Sequence, residues 1–222
     1  SDASAVLESL LGIRYLVGKD ASYARSTLEP WMTEGEYTVF RNPYALPVAF
    51  MVGAEMEYWS LYKDPFTVQN QFVELATGIK QVQIPLDTEI VTESNLTMTR
   101  GSDKNTYSYT KIGSGSCAAT LSFTVPATRE VCFYLDANQL DFNTEVRFGD
   151  NDATIRTYDL TRPYMVDLGL VQAGTTVQVK MKYKDAASGQ VKLYAAMLDE
   201  PKFKQAMALL AEQGMDVDHF SD

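Results

Sequence analysis

The sequence predicts a mostly β protein with flanking helices (α+β): a small N-terminal α/β part, then an antiparallel β-sandwich of jelly-roll type, then a C-terminal helix. Three observations carry this. Between residues 81 and 183, short runs alternate apolar and polar residues with period two and are separated by turn residues, the pattern of half-buried strands. The chain of 222 residues holds 13 Tyr and 10 Phe, and aromatic side chains pack well on a pleated surface. Two stretches, near residues 64 and 200, carry helix start and stop signals. The expected parts are 1–80 for the α/β subdomain, 81–198 for the sandwich, and 199–222 for a helix and tail leading into further sequence.

Taken in order, residues 2–11 place Val6, Leu7, Leu10 and Leu11 on one helical face, and Gly12 ends the run. Residues 13–17 then read as a short buried strand, followed by a polar stretch from 21 to 27 that is expected to be mobile. Residues 37–40 and 48–52 read as a strand pair joined through Arg41, Asn42, Pro43 and Tyr44. The strongest helix signal has Asp64 as N-cap, Pro65 at the first helical position and Gly78 past the end. It puts Phe66, Gln69, Asn70 and Val73 on one face, and Asn70, turned toward the core, is expected to tie a loop to the helix. The period-two runs follow: Ile84, 90–98, 107–112, 117–125, 131–135, 144–148, 154–160, 164–168, 176–183 and 190–197. In the run 176–183, Val177, Val179, Met181 and Tyr183 point inward and Lys180 and Lys182 outward, so a slip of one residue would bury the lysines. The last helix runs from Asp199 or Glu200 to Gln213 with Phe203, Ala206, Met207 and Leu210 as its apolar stripe. Residues 215–220 alternate like the start of another strand.

Composition narrows the function. Hydrophobic residues make up 45% and charged residues 22% of the chain, so it can bury a core without metal or disulfide. The net charge of −10 repels phosphate backbones and anionic headgroups, which argues against nucleic acid and against a polybasic membrane contact. No run approaches the roughly 18 to 20 apolar residues that span a bilayer. The apolar opening, 5–17, carries Glu8 and Arg14 and no basic leader, so it does not read as a signal peptide. Cys117 and Cys132 would lie far apart along a hairpin turning at 125–130, displaced by roughly 15 Å at about 3.3 Å per residue, so both are expected as buried free thiols.

Candidate chemistry is sparse. A Ser-His-Asp or Cys-His arrangement needs an oriented histidine, and the single one, His219, sits in the tail. Zinc-ligand spacing and glycine-rich phosphate loops are absent, and no cofactor is implied. Asp150 and Asp152, around Asn151, are weak candidates for calcium, and an ordinary Gly/Asp/Asn turn between two strands is the preferred reading. Asp216 and Asp218 resemble a nucleotide-sugar metal pair but lack a nucleotide fold around them. The segment Tyr58-Trp59-Ser60-Leu61-Tyr62 holds the densest aromatic group. Residue type alone favours packing into the core, whereas exposure would make Tyr58, Trp59 and Tyr62 a glycan platform. Of Tyr107 and Tyr109, one is expected to face solvent.

Several segments together resemble the large extracytoplasmic region of bacterial YfhO-type multi-pass membrane proteins, which are related to lipid-linked-sugar glycosyltransferases. The resemblance rests on Leu10-Leu11-Gly12-Ile13-Arg14-Tyr15-Leu16, on residues 41–50 (Arg-Asn-Pro-Tyr-Ala-Leu-Pro-Val-Ala-Phe), and on Asp64-Pro65-Phe66 with Gln69-Asn70 and Thr77-Gly78. It continues through Tyr164-Met165-Val166-Asp167-Leu168-Gly169, Ala173-Gly174 and Phe203-Lys204-Gln205-Ala206, covering most of the chain. The resemblance implies transmembrane helices outside this chain, a place on the extracytoplasmic face of the membrane, and transfer of sugar from a polyprenyl phosphate carrier to cell-envelope polymers such as teichoic acids. The family's catalytic acids are expected near its first membrane helices, so none is assigned here. The expected function is therefore non-catalytic: positioning an envelope glycan or polymer, or shaping the active-site entrance. Two alternatives stay open, a free-standing carbohydrate-binding module and a hydrolase using a carboxylate pair.

Overall fold

The computed structural model describes residues 3–19, 25–137, 142–148, 154–160, 163–183 and 187–214. The chain divides into two compact units, one of residues 85–197 and one of residues 3–84 with 198 onward. The unit formed by both chain ends contains helix α1 (Ala5–Leu10), strands β1 (Tyr15–Lys19), β2 (Glu29–Glu34) and β3 (Tyr37–Arg41), helix α2 (Pro65–Thr77) and helix α3 (Glu200–Glu212). Strand β4 (Gln83–Leu86) runs across the boundary.

The first helix is shorter than its apolar pattern suggests. Ser4 caps it, its hydroxyl accepting from the Leu7 amide. The buried residues are Ala5, Val6, Glu8 and Ser9, while Leu11 is exposed. Polar partners inside the unit decide this face: Glu8 is held by Arg25 at 2.6 Å with both side chains buried, and Ser4 donates to Gln69 at 2.6 Å. Gly12 ends the helix at φ +67, and a Cβ there would lie 2.9 Å from the Leu46 carbonyl oxygen, so glycine is required twice over.

Two further expectations in this unit fail, and a third, for 21–27, lies partly outside the described residues. Strand β1 is mostly exposed rather than buried. The stretch 21–27 is described only from Arg25, and Arg25 and Thr27 are buried, because Arg25 serves as counter-ion to Glu8. Strand β3 does not pair with 48–52: it sits between β1 and β2 in an antiparallel three-stranded sheet. Val48 is 98% exposed, and Phe50 makes only an isolated bridge to Gly214. The signal for the true pairing is the two-residue loop Gly35-Glu36, with Gly35 at φ +60, which matches the Gly-first hairpin turn.

Both long helices form as their signals predict. The Asp64 carboxylate accepts from the Phe66 and Thr67 amides at 3.0 Å each, and Gly78 closes α2 in the left-handed conformation. Asn70 ties the following chain to the helix, donating to the Gln83 carbonyl at 2.7 Å and accepting from its amide at 2.8 Å. On α3 the stripe Phe203, Ala206, Met207 and Leu210 is buried, and it joins Val6, Leu46, Val73 and Val82 in one core cluster.

The unit 85–197 is an antiparallel sandwich. Its strands are β5 (Thr88–Ser94), β6 (Leu96–Arg100), β7 (Thr106–Lys111), β8 (Cys117–Thr124), β9 (Arg129–Ala137), β10 (Phe142–Phe148), β11 (Thr154–Leu160), β12 (Tyr164–Val171), β13 (Thr176–Tyr183) and β14 (Ser188–Leu198). One sheet has the order β11-β10-β13-β8-β5, and the other includes β12-β9-β14-β7-β6. Phe123 on β8 packs on Phe133 on β9 across the sheets, ring centroids 6.3 Å apart. The buried Tyr107 phenol of β7 is satisfied from the opposite sheet by the Thr88 hydroxyl at 2.6 Å, and burial pushes its pKa up.

The single run expected at 90–98 is two strands in different sheets, because Asn95 takes a left-handed conformation (φ 54) and turns the chain between them. Tyr107 and Tyr109 both face inward, since residues two apart on a strand share a face. Cys117 and Cys132 are buried and form no disulfide, but not for the expected reason: β8 and β9 are no hairpin, and lie in opposite sheets. Strand β13 has the predicted facing, with Val177, Val179, Met181 and Tyr183 buried. Strand β12 extends past Leu168 through a bulge between Asp167 and Gly169, where the Asp167 carboxylate accepts from the Gly169 amide at 2.8 Å.

Candidate functional site

The aromatic group at Tyr58, Trp59 and Tyr62 faces solvent, which overturns the preference for core packing. Tyr62 is 99% exposed, Tyr58 67% and Trp59 37%. The backbone beneath them is nevertheless fixed. A 3-10 turn, Ala54–Tyr58, delivers the chain to Trp59, and α2 grips the segment from one side. Gln71 on that helix donates to the Tyr58 carbonyl at 3.0 Å and accepts from the Ser60 amide at 3.2 Å. The Trp59 indole donates to the Val68 carbonyl at 3.1 Å, while its ring stands edge-on to Phe72 at 5.1 Å. The Asp64 cap and Pro65 set where α2 begins and so where these grips fall. Rings presented from a fixed backbone lose little conformational freedom when a ligand stacks on them.

A second exposed aromatic face, unforeseen in the sequence, lies on the three-stranded sheet. Register pairs Tyr15 with Arg41, Val17 with Val39 and Lys19 with Tyr37 across β1 and β3, so these six share a face. On β2 the register shifts between Pro30 and Met32. Trp31, at that shift, stands edge-on to Tyr15 at 6.0 Å and lies 5.7 Å from the Arg41 guanidinium. Trp31 is 58% exposed, and Tyr15, Val17, Met32 and Tyr37 are exposed with it. The Gly35-Glu36 loop could have revealed this sheet, since it implies pairing between the segments on either side of it.

The motifs that carry the family resemblance in the first half turn out to build the scaffold. Asn42 is buried, donating to the Ser9 hydroxyl at 3.2 Å and the Ile13 carbonyl at 3.1 Å, and accepting from the Tyr44 amide at 3.0 Å. Gln69 receives hydrogen bonds from both Ser4 and Gln83. These residues close the helix, the strand and the loop on one another, and they leave the neighbouring aromatics to face outward.

In the sandwich unit a depression of about 280 Å³ is lined by Val91, Thr92, Thr120, Arg147, Gln178 and Lys180. Its lining carries no carboxylate. The nearby Glu145 is paired with Lys182 at 2.6 Å, and that hydrogen bond holds its carboxyl below the ordinary range, the reverse of what a general acid needs. Among the described residues, no group of three or more His, Cys, Asp and Glu could hold a metal. Asp150 and Asp152, the calcium candidates, lie outside the described residues, as do Asp216, Asp218 and His219.

Among solved structures, similarity is found to TmCBM61 in complex with β-1,4-galactotriose, at 10% identity over 50% of this chain and 88% of that one, TM-score 0.33. It is also found to a family 29 carbohydrate-binding module from Piromyces equi, at 7% identity over 54% and 90%, TM-score 0.30. A third is a carbohydrate-binding module from Cellvibrio mixtus lichenase 5A in complex with cellotriose, at 9% identity over 53% and 95%, TM-score 0.30. At such TM-scores these likenesses carry no argument about ligand or residue roles. No curated protein matches the chain. Among the described residues no helix is long and apolar enough to cross a membrane. The family model for the bacterial membrane protein YfhO matches residues 1–222, in keeping with the scaffold motifs just described, and the chain belongs to the YfhO family.

Proposed function

We propose that this chain is a non-catalytic, extracytoplasmic part of a membrane glycosyltransferase-like protein, and that it holds a cell-envelope glycan or polymer, such as a teichoic acid, as acceptor near the reaction. The observation that carries the reading is the solvent-facing group Tyr58, Trp59 and Tyr62 on a backbone pinned by Gln71, with the Trp59 indole held by the Val68 carbonyl. Exposed rings of this kind offer flat apolar faces to the C–H faces of sugars. Membership of a bacterial membrane protein family favours a tethered acceptor-holding role over a free-standing binding module. The carboxylate-pair hydrolase gains no support from the depression in the sandwich, whose lining has no acid.

The test is titration of the purified chain with isolated wall and lipid-linked polymers from Gram-positive envelopes, followed by calorimetry. A W59A/Y62A double variant is expected to lose about tenfold or more in affinity, the scale for truncating an aromatic anchor. Absence of binding to every polymer, or binding undiminished in that variant, overturns the reading.

A further inference from the structure

The outer face of the five-stranded sheet is polar, ordered and positively charged where it is hollow, in a protein whose net charge is −10. Register places its side chains in transverse rows. Arg147 pairs with Gln178, and Gln178 with Ser122, which pairs with Glu89 on the edge strand. One step along, Glu145 pairs with Lys180, Lys180 with Thr120, and Thr120 with Thr92. Hydrogen bonds fix parts of both rows: Thr92 donates to Thr120 at 2.9 Å, and Ser122 to Glu89 at 3.3 Å. Thr120 and Ser122 are buried although they point away from the sandwich core, so this face is recessed rather than flat.

Charge is unevenly distributed in that recess. Lys182 takes up Glu145 at 2.6 Å, and Arg147 reaches the same carboxylate at 3.5 Å. Lys180 makes no ion pair among the described residues within 4 Å. Arg147 and Lys180 are diagonal neighbours on adjacent strands, about 7–8 Å apart, close enough for two long cationic side chains to converge on one oxyanion. Guanidinium and ammonium groups bind phosphate and carboxylate through charge-assisted hydrogen bonds, and the flanking hydroxyls and amide suit the hydroxyls of a polyol.

We propose that this recess binds an acidic polyhydroxylated polymer, with Arg147 and Lys180 taking its phosphate or carboxylate groups and Thr92, Thr120 and Gln178 its hydroxyls. The proposal rests on the reading that the chain holds an envelope polymer, and it adds a charge requirement and a second contact surface. An acidic ligand would otherwise be repelled by the protein as a whole, so a local cationic recess decides where it can lie.

The experiment titrates the whole chain with poly(glycerol phosphate), polygalacturonate and dextran. At least one acidic polymer is expected to bind, at least tenfold more weakly in R147Q/K180Q, with affinity retained in R147K/K180R and falling as salt rises. Binding of poly(glycerol phosphate) alone identifies phosphate as the recognised group, and binding of polygalacturonate alone identifies carboxylate. Dextran binding as tightly as either acidic polymer, or undiminished binding by R147Q/K180Q, overturns the proposal. If R147Q/K180Q fails to fold, amide shifts at Thr120 and Gln178 in the unaltered chain decide, and unshifted amides under saturating polymer overturn it. Loss in W59A/Y62A with none in R147Q/K180Q sinks this inference and leaves the aromatic reading standing. The opposite pattern does the reverse, and no binding of any polymer sinks both.

Discussion

The two units use the same residue types on opposite sides. In the sandwich, Tyr107, Phe123, Phe133 and Tyr183 are buried, where two facing sheets need large side chains to fill the space between them. In the unit built from the chain ends, aliphatic residues around Phe203 form the core cluster, while Tyr15, Trp31, Tyr37, Tyr58, Trp59 and Tyr62 are exposed. Phenylalanine is buried in both units, as Phe40, Phe66 and Phe203 show in the second, so the contrast lies in tyrosine, which fills the interior of the sandwich and faces solvent in the unit built from the chain ends. Conversely, the recessed polar face belongs to the sandwich, whose strands can array hydroxyls and cations at fixed cross-strand spacing.

Substitutions can break or sharpen this contrast. Phe133→Ala is expected to have the largest effect, about 3–5 kcal/mol lost in urea unfolding. Trp31→Ala should cost only about 1 kcal/mol, from its edge contact with Tyr15 and the Arg41 stack. Equal losses would show that the exposed sheet face is a structural element rather than a contact surface. Next, Glu8→Gln removes the buried ion pair with Arg25 inside the unit formed by the chain ends and should destabilise it by about 3 kcal/mol. The double change Glu8→Met with Arg25→Leu should recover most of that, as seen in thermal melting. A single that melts like the unaltered chain would mean that the pair is not what holds the first helix.

The smallest effect concerns the recessed face. Lys182 holds the Glu145 carboxyl below its ordinary pKa. A depressed carboxylate contributes stability that is fully present above its unfolded value of about 4.3 and is lost as pH falls through the lowered folded value. Lys182→Met should therefore lower the melting temperature slightly at pH 7, with the difference closing as pH falls through the lowered value of Glu145 in the folded chain. Since the Lys182 side chain is about half-exposed, salt should reduce the effect.

The helices α2 and α3 were legible because their start and stop signals are local: Asp64 and Gly78 on α2 and the Asp199 cap on α3 act through hydrogen bonds and dihedral angles that neighbours alone determine. The exposure of Tyr58, Trp59 and Tyr62 was not legible, because residue type favours burial and only the grip of Gln71 from α2 turns the segment outward. Likewise Trp31 drew no notice while β2 was unrecognised, and the cationic recess draws residues from four strands separated by up to ninety positions in the chain.

Alternation by itself determined which residues of a strand share a side, as at Val177, Val179, Met181 and Tyr183, because the period of two is a property of the extended backbone. Local capping residues also marked the ends of α2 and placed Asn70 to tie a loop to that helix, while its partner Gln83 came only from the structure. Only the tertiary structure decided which sheet each strand joins, separating β5 from β6 and β8 from β9, and which aromatic faces remain uncovered. Strand partners and covered faces depend on non-local burial, and a sequence pattern of period two is equally satisfied by either sheet.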